Sequence, residues 1–161
     1  MRYLKNKIKE SKPDFILGIG VAIGINKLRI EKLGLNYKYA KIPDNKGKKA
    51  KAEKIEEKGK LAYETGINVL DFVDSLKQKQ IPCEISFNAG TYVCNYAYYN
   101  CLNYINRENN EKKNKEIKTL FIHIPASPKE VIELGINAPS FPIEFISKGL
   151  YETLKEKFDF D

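Results

Sequence analysis

The amino-acid sequence predicts an α/β fold, with helices packed on an open, mostly parallel sheet. Two observations carry that expectation. Short continuous apolar runs, FILGI at Phe15–Ile19 and TLFIHI at Thr119–Ile124, have the length and composition of strands buried on both faces. Between them lie residues at helical spacing, Val69, Leu70, Phe72, Val73 and Leu76, that form an apolar stripe. Strands alternating with helices in a chain of 161 residues build a layered sheet around one core, so residues 1–161 are read as a single domain.

The elements follow in order. Lys5 to Ser11 reads as the tail of an amphipathic helix that Pro13 stops. FILGI is the first strand. Leu35 to Ile42 (LNYKYAKI) partly alternates and reads as a more exposed strand, ended by the turn cluster Pro43-Asp44-Asn45-Lys46-Gly47. The charged stretch from Lys48 to Lys60 reads as loop, and Asn68 to Lys79 as helix. Ile81 to Phe87 (IPCEISF) is a strand, followed by an Ala89-Gly90-Thr91 turn and a helix to about Ile105. The polar run Asn106 to Lys115 reads as a linker, TLFIHI as a buried strand broken by Pro125, and Pro142 to Phe158 as a last amphipathic helix.

Composition narrows the function classes. The net charge is +7, but the lysines alternate with glutamate and lack interleaved aromatics, which describes a solvated surface rather than a nucleic-acid site. No run approaches the roughly 18 apolar residues of a membrane span. The basic N-terminus leads into no signal-type core, and three cysteines form no CxxC pair, so a cytoplasmic protein is expected. The glycines of LGIGVAIG are one residue off the dinucleotide fingerprint, and one histidine with scattered cysteines shows no metal-ligand spacing; no cofactor is expected.

In such sheets, sites gather at the carboxyl ends of strands. His123, the only histidine, ends TLFIHI. A lone histidine is readily a structural residue, but the strand IPCEISF and its turn deliver Cys94 to the same edge, in the first turns of a helix. Backbone N–H groups and the helix dipole favour a thiolate there. Neutral imidazole can take the thiol proton and return it to a leaving amine. Cys101 lies two turns further along the helix, about 10 Å away, and reads as structural. By residue type alone, Glu31 in RIEKLGLN reads as a surface carboxylate paired with a lysine.

Four blocks in this order resemble the pyroglutamyl peptidase I (pyrrolidone carboxyl peptidase) family. SFNAGTYVCN is similar to its nucleophile segment, with Cys94 at the cysteine position. FIHIP is similar to the strand carrying its histidine, at His123. RIEKLGLN is similar to the segment carrying its glutamate, at Glu31, and KIPDNKG to the turn that follows. The resemblance runs from about Lys7 nearly to the C-terminus. It implies a three-layer α/β/α sandwich and a cysteine peptidase that removes an N-terminal pyroglutamyl residue from peptides through an acyl-enzyme on Cys94. His123 would act as base and then acid, oriented by Glu31, with no cofactor and with assembly as a homo-oligomer. Val21, Ile42, Tyr92 and Val93 fall at pocket positions that would hold the substrate. Lys41 is the electrostatic candidate for the oxyanion.

The departures are specific. The family's first strand and its Phe-rich, Gly-Gly loop find no match, so the sheet is expected to lack that strand and leave an edge uncovered. Val21 stands where many members carry glutamine, and Ile25 and Lys41 where they carry arginine; lysine does not reproduce a planar guanidinium. These departures motivate an alternative: a non-catalytic or altered-substrate relative acting as a binding or regulatory protein, with a partner completing the missing segment.

Overall fold

A computed structural model describes residues 2–40, 43, 47, 49–111 and 116–158. Among them the chain forms α1 (Arg2–Ser11), β1 (Phe15–Val21), β2 (Leu28–Glu31), β3 (Leu33–Leu35), β4 (Ala62–Glu64), α2 (Val69–Gln78), β5 (Cys83–Ser86), α3 (Val93–Glu111), β6 (Lys118–Ile124), α4 (Pro128–Leu134) and α5 (Ile143–Phe158). The main sheet has the order β1-β6-β2-β5. Lys118 N–H donates to Asp14 O and Ala22 N–H to Ile124 O, so β1 and β6 run parallel. Leu28 N–H on Pro82 O and Lys32 N–H on Ser86 O make β2 and β5 parallel as well. The order places β1 at one edge of the sheet, and its Ile19 and Val21 are exposed.

The chain gathers into two compact units. One comprises Met1–Gly18, Glu31–Ile67 and Ser86–Phe121; the other comprises Ile19–Ile30, Asn68–Ile85 and Ile122–Asp161. In the first, α3 packs on β3, β4 and α1. The small antiparallel sheet pairs Leu33 with Glu64, Gly34 with Tyr63 and Leu35 with Ala62. Gly34 lets β3 lie directly on the helix backbone, since a Cβ there would sit 2.9 Å from Tyr99 Cα. Ala89, Tyr98, Leu102 and Phe121 form one buried cluster; Ile8, Cys101 and Ile105 form a second.

In the second unit α2 packs on α5, and Gly149 of α5 faces the Ile81 side chain. Phe72, Val73 and Leu76 bury the apolar stripe of α2, while Ile146 and Leu150 bury that of α5. Lys79, Ser75 and Glu156 bond to one another across the two helices, and Lys157 reaches Asp71 at 2.8 Å. No described helix is long and apolar enough to cross a membrane.

Several elements differ from the sequence expectation, each for a physical reason. Of the strand read over Leu35–Ile42, Leu35 closes β3 and Asn36 N–H still donates to Leu61 O, while the Asn36 side chain organises the loop beyond. Its buried carboxamide accepts from Ile55 and Glu56 N–H and donates to Glu56 and Gly59 carbonyls. Helix α3 continues to Glu111 through the polar run read as linker, where no proline or glycine stops it. Arg107 pairs there with Glu56, and Asn109 brackets Ile117 by two hydrogen bonds. Three short elements went unread: β2, β4 and α4. Helix α4 had a signature, a Ser127–Glu130 capping box with Pro128 in the first turn and Gly135 in the left-handed region at its end.

Candidate active site

Cys94 occupies the second position of α3. The turn before it is shaped by Asn88, whose side chain accepts from Gly90 N–H at 2.9 Å, and by Gly90 itself at φ 80°. That left-handed backbone is where glycine is tolerated without strain. The helix therefore starts abruptly, and Cys94 sits where first-turn N–H groups and the positive end of the helix dipole lie. Its thiol is partly exposed at the rim of the cluster of Ala89, Tyr98, Leu102 and Phe121.

The other two cysteines are of a different kind. Cys83 is buried with its thiol near Val73 O, and Cys101 is buried 3.6 Å from Thr119 Oγ1. Burial pushes both thiols above their ordinary range, which keeps them protonated and unreactive. The structural reading of Cys101 agrees with this placement.

Glu31 is the last residue of β2 and is fully buried. This corrects the surface reading: a carboxylate with no solvent exposure is a position held for a reason beyond solubility. Its peptide carbonyl accepts from the Tyr98 hydroxyl at 2.9 Å, and the next N–H, of Lys32, donates to Ser86 O at 2.6 Å. His123 is the penultimate residue of β6, 9% exposed. Strand alternation puts it on the same face of β6 as Phe121.

Tyr92 and Val93, expected as pocket residues, line a groove of about 590 Å³ together with Tyr39, Lys49, Glu53 and Tyr96. The groove's floor is tied to the helix start, since Tyr39 N–H donates to Thr91 O and Thr91 Oγ1 donates back to Tyr39 O. Val21 lies elsewhere, at the end of β1, 45% exposed. Lys41 and Ile42 fall outside the described residues. Ile25 is buried.

Asn95 was not singled out from the sequence, although a polar residue directly after the cysteine on a helix was a usable signal. It is fully buried, accepts from Leu35 N–H and donates to the carbonyls of Leu35 and Tyr37. It clamps the first turn of α3 onto the chain leaving β3. Among the described residues no group of His, Cys, Asp or Glu could hold a metal ion.

Comparison with known proteins fits this geometry. The family profile described as pyroglutamyl peptidase matches residues 1–156. A pyrrolidone-carboxylate peptidase of Thermosipho melanesiensis is 39% identical over 152 residues, spanning 94% of this chain and 72% of that protein. One from Brevibacillus brevis is 35% identical over 161 residues, 100% of this chain and 72% of that protein. Among solved structures, pyroglutamyl peptidase I of Bacillus amyloliquefaciens superposes with a TM-score of 0.86 at 33% identity, over 97% of this chain and 71% of that one. Pyrrolidone carboxyl peptidase from Thermococcus litoralis gives 0.85 at 33% identity, over 98% and 71%. The α/β fold with its mostly parallel sheet is the fold of these structures. A partly exposed cysteine opening α3, a buried glutamate closing β2 and a histidine near the end of β6 thus stand in a chain that belongs to the pyroglutamyl peptidase family.

Proposed function

We propose that this chain is a cysteine peptidase that removes an N-terminal pyroglutamyl residue from peptides, with Cys94 as nucleophile, His123 as general base and acid, and Glu31 as the group that orients the imidazole. The observation that carries the reading is the placement of Cys94: of the three thiols, it alone combines partial exposure with the N-terminal turn of a helix. Family membership favours a hydrolase over the non-catalytic alternative.

The chemistry follows from these groups. His123 takes the Cys94 proton, and the thiolate attacks the carbonyl carbon of the pyroglutamyl residue. The oxyanion that forms is stabilised by first-turn N–H groups of α3, the arrangement in which fixed dipoles act most strongly. Lys41 is a further candidate for that charge. The C–N bond then breaks, and imidazolium returns the proton to the departing amine. Water, deprotonated by His123, attacks the thioester; the C–S bond breaks, and pyroglutamate leaves with the thiol restored. No cofactor enters the cycle. Val21, Ile42, Tyr92 and Val93 are the candidates for enclosing the lactam ring.

The test is hydrolysis of a fluorogenic pyroglutamyl amide. Wild type should release the fluorophore with Cys94→Ala and His123→Ala at background; equal rates from wild type and Cys94→Ala would reject the activity. We also infer a homo-oligomer in the cytoplasm. The first is read by sedimentation equilibrium, where a mass equal to one chain of 18.5 kDa speaks against it. The second is read by fractionation of the source cells.

A further inference from the structure

One buried tyrosine ties the nucleophile's helix to the backbone of the glutamate. Tyr98 lies one turn after Cys94, so the two share a face of α3. Both pack in the cluster with Ala89, Leu102 and Phe121, and the Tyr98 ring meets Phe121 at 5.6 Å between centroids. Packing alone would be satisfied by phenylalanine. Yet the hydroxyl, on a residue 2% exposed, reaches a group 67 positions away in sequence: it donates to Glu31 O at 2.9 Å.

That bond acts on a particular peptide. The unit joining Glu31 to Lys32 is held on its N–H side by Ser86 O, at the end of β5, and on its C=O side by Tyr98. A peptide plane fixed at both poles leaves the Glu31 Cα–Cβ direction little freedom. The proposed role of Glu31 in orienting an imidazole needs this, because a small error in a carboxylate's direction weakens any hydrogen bond or charge interaction it makes. Burial also pushes the Tyr98 phenol well above its ordinary range, so it remains a donor at every pH at which the enzyme works.

We propose that Tyr98 is a positioning residue for the hydrolytic reaction, acting through Glu31: its hydroxyl sets the backbone of the carboxylate relative to the helix that carries Cys94. The proposal rests on the reading that Cys94, His123 and Glu31 form the catalytic set.

The test is Tyr98→Phe, which keeps the ring and deletes the bond to Glu31 together with the hydroxyl's contacts to Thr65 and the Phe121 backbone. The expected result is a loss of about tenfold in kcat with KM within twofold, since the change falls on the geometry of the reacting groups rather than on substrate binding. The acid limb of the kcat/KM profile should move to lower pH, because a carboxylate that no longer faces the imidazole stabilises its protonated form less. In a Glu31→Gln background, the added effect of Tyr98→Phe should shrink below twofold, as two changes on one path are not additive.

Phe121→Leu serves as the packing control: it loosens the same cluster without touching Glu31, and should lower the melting temperature while leaving the acid limb in place. A Tyr98→Phe enzyme with wild-type kcat and an unmoved acid limb overturns the proposal, as does full additivity with Glu31→Gln. Wild type without Cys94-dependent hydrolysis would instead overturn the underlying function, and this proposal with it.

Discussion

Asn95 and Leu35 exchange two hydrogen bonds: Leu35 N–H donates to Asn95 Oδ1 at 2.8 Å, and Asn95 Nδ2 donates to Leu35 O at 2.9 Å. A side-chain amide here completes the backbone pairing at the end of a short strand, as another strand would. The same Nδ2 donates to Tyr37 O at 2.8 Å. Because Asn95 follows Cys94, the bonds at the end of β3 also hold Cys94 in place.

Asn95→Ala is therefore expected to damage both stability and rate. It leaves the Leu35 N–H and two carbonyls without this partner in a partly buried site, a loss of about 2 kcal/mol given roughly 1–3 kcal/mol for an unsatisfied buried group. Urea unfolding should show a lower midpoint at unchanged slope. Hydrolysis below the transition should fall by on the order of tenfold or more, since the turn that carries Cys94 is no longer clamped. A full-rate Asn95→Ala enzyme would show that helix packing alone places Cys94.

Gly34→Ala is expected to destabilise through overpacking. The added methyl meets backbone, Tyr99 Cα at 2.9 Å and Tyr99 N at 3.0 Å, which cannot rotate away as a side chain can. The loss should be about 1–3 kcal/mol, the usual range for an extra carbon in a filled site. Thermal unfolding measures it. A neutral Gly34→Ala would mean that β3 moves off α3 freely.

The three thiols should separate by reactivity. Native protein exposed briefly to iodoacetamide should take one adduct, on Cys94, because Cys83 and Cys101 are buried and their thiols are held protonated. Peptide mapping identifies the site. Cys94→Ala should remain unlabelled until denaturant is added; early labelling of Cys101 would contradict the packing described for it.

Acid should loosen the contact between α2 and α5. Hydrogen bonds from Lys79 and Ser75 hold the Glu156 carboxyl down at about 2, against an ordinary value of 4.5. A folded-state pKa below the unfolded one contributes stability that is present above about 4.5 and lost as pH falls toward 2. Glu156→Gln should flatten that part of the pH–stability curve, and added salt should shrink the difference, since Glu156 is solvent-accessible. Identical curves for the two proteins between these pH values would remove the network from the account of acid stability.

Much of the fold and the outline of the site were legible in the chain itself. FILGI, IPCEISF and TLFIHI became β1, β5 and β6, but only TLFIHI is buried along its length; β1 and β5 lie at the two edges of the sheet, and Ile19 of FILGI is exposed. Cys94 was legible because the Ala89-Gly90-Thr91 turn before a helical pattern is local chemistry. The burial of Glu31 was not legible by residue type alone, since a glutamate in a Lys-rich segment looks solvated and only the neighbours supplied by the fold bury it.

The likeness of four whole blocks pointed to the family, while local spacing by itself determined the strands β1, β5 and β6, the longer helices and the helix start that presents Cys94. Those properties depend on residues a few positions apart, whose spacing sets backbone conformation directly. Tertiary structure alone decided that the Asn36 side chain would hold residues 55–59, that Asn95 would pair with Leu35, and that Tyr98 would meet the carbonyl of Glu31. A side-chain amide or hydroxyl can bond to any backbone group brought within about 3 Å, and partners 60 and 67 positions away become neighbours only when burial of the apolar runs has positioned the chain.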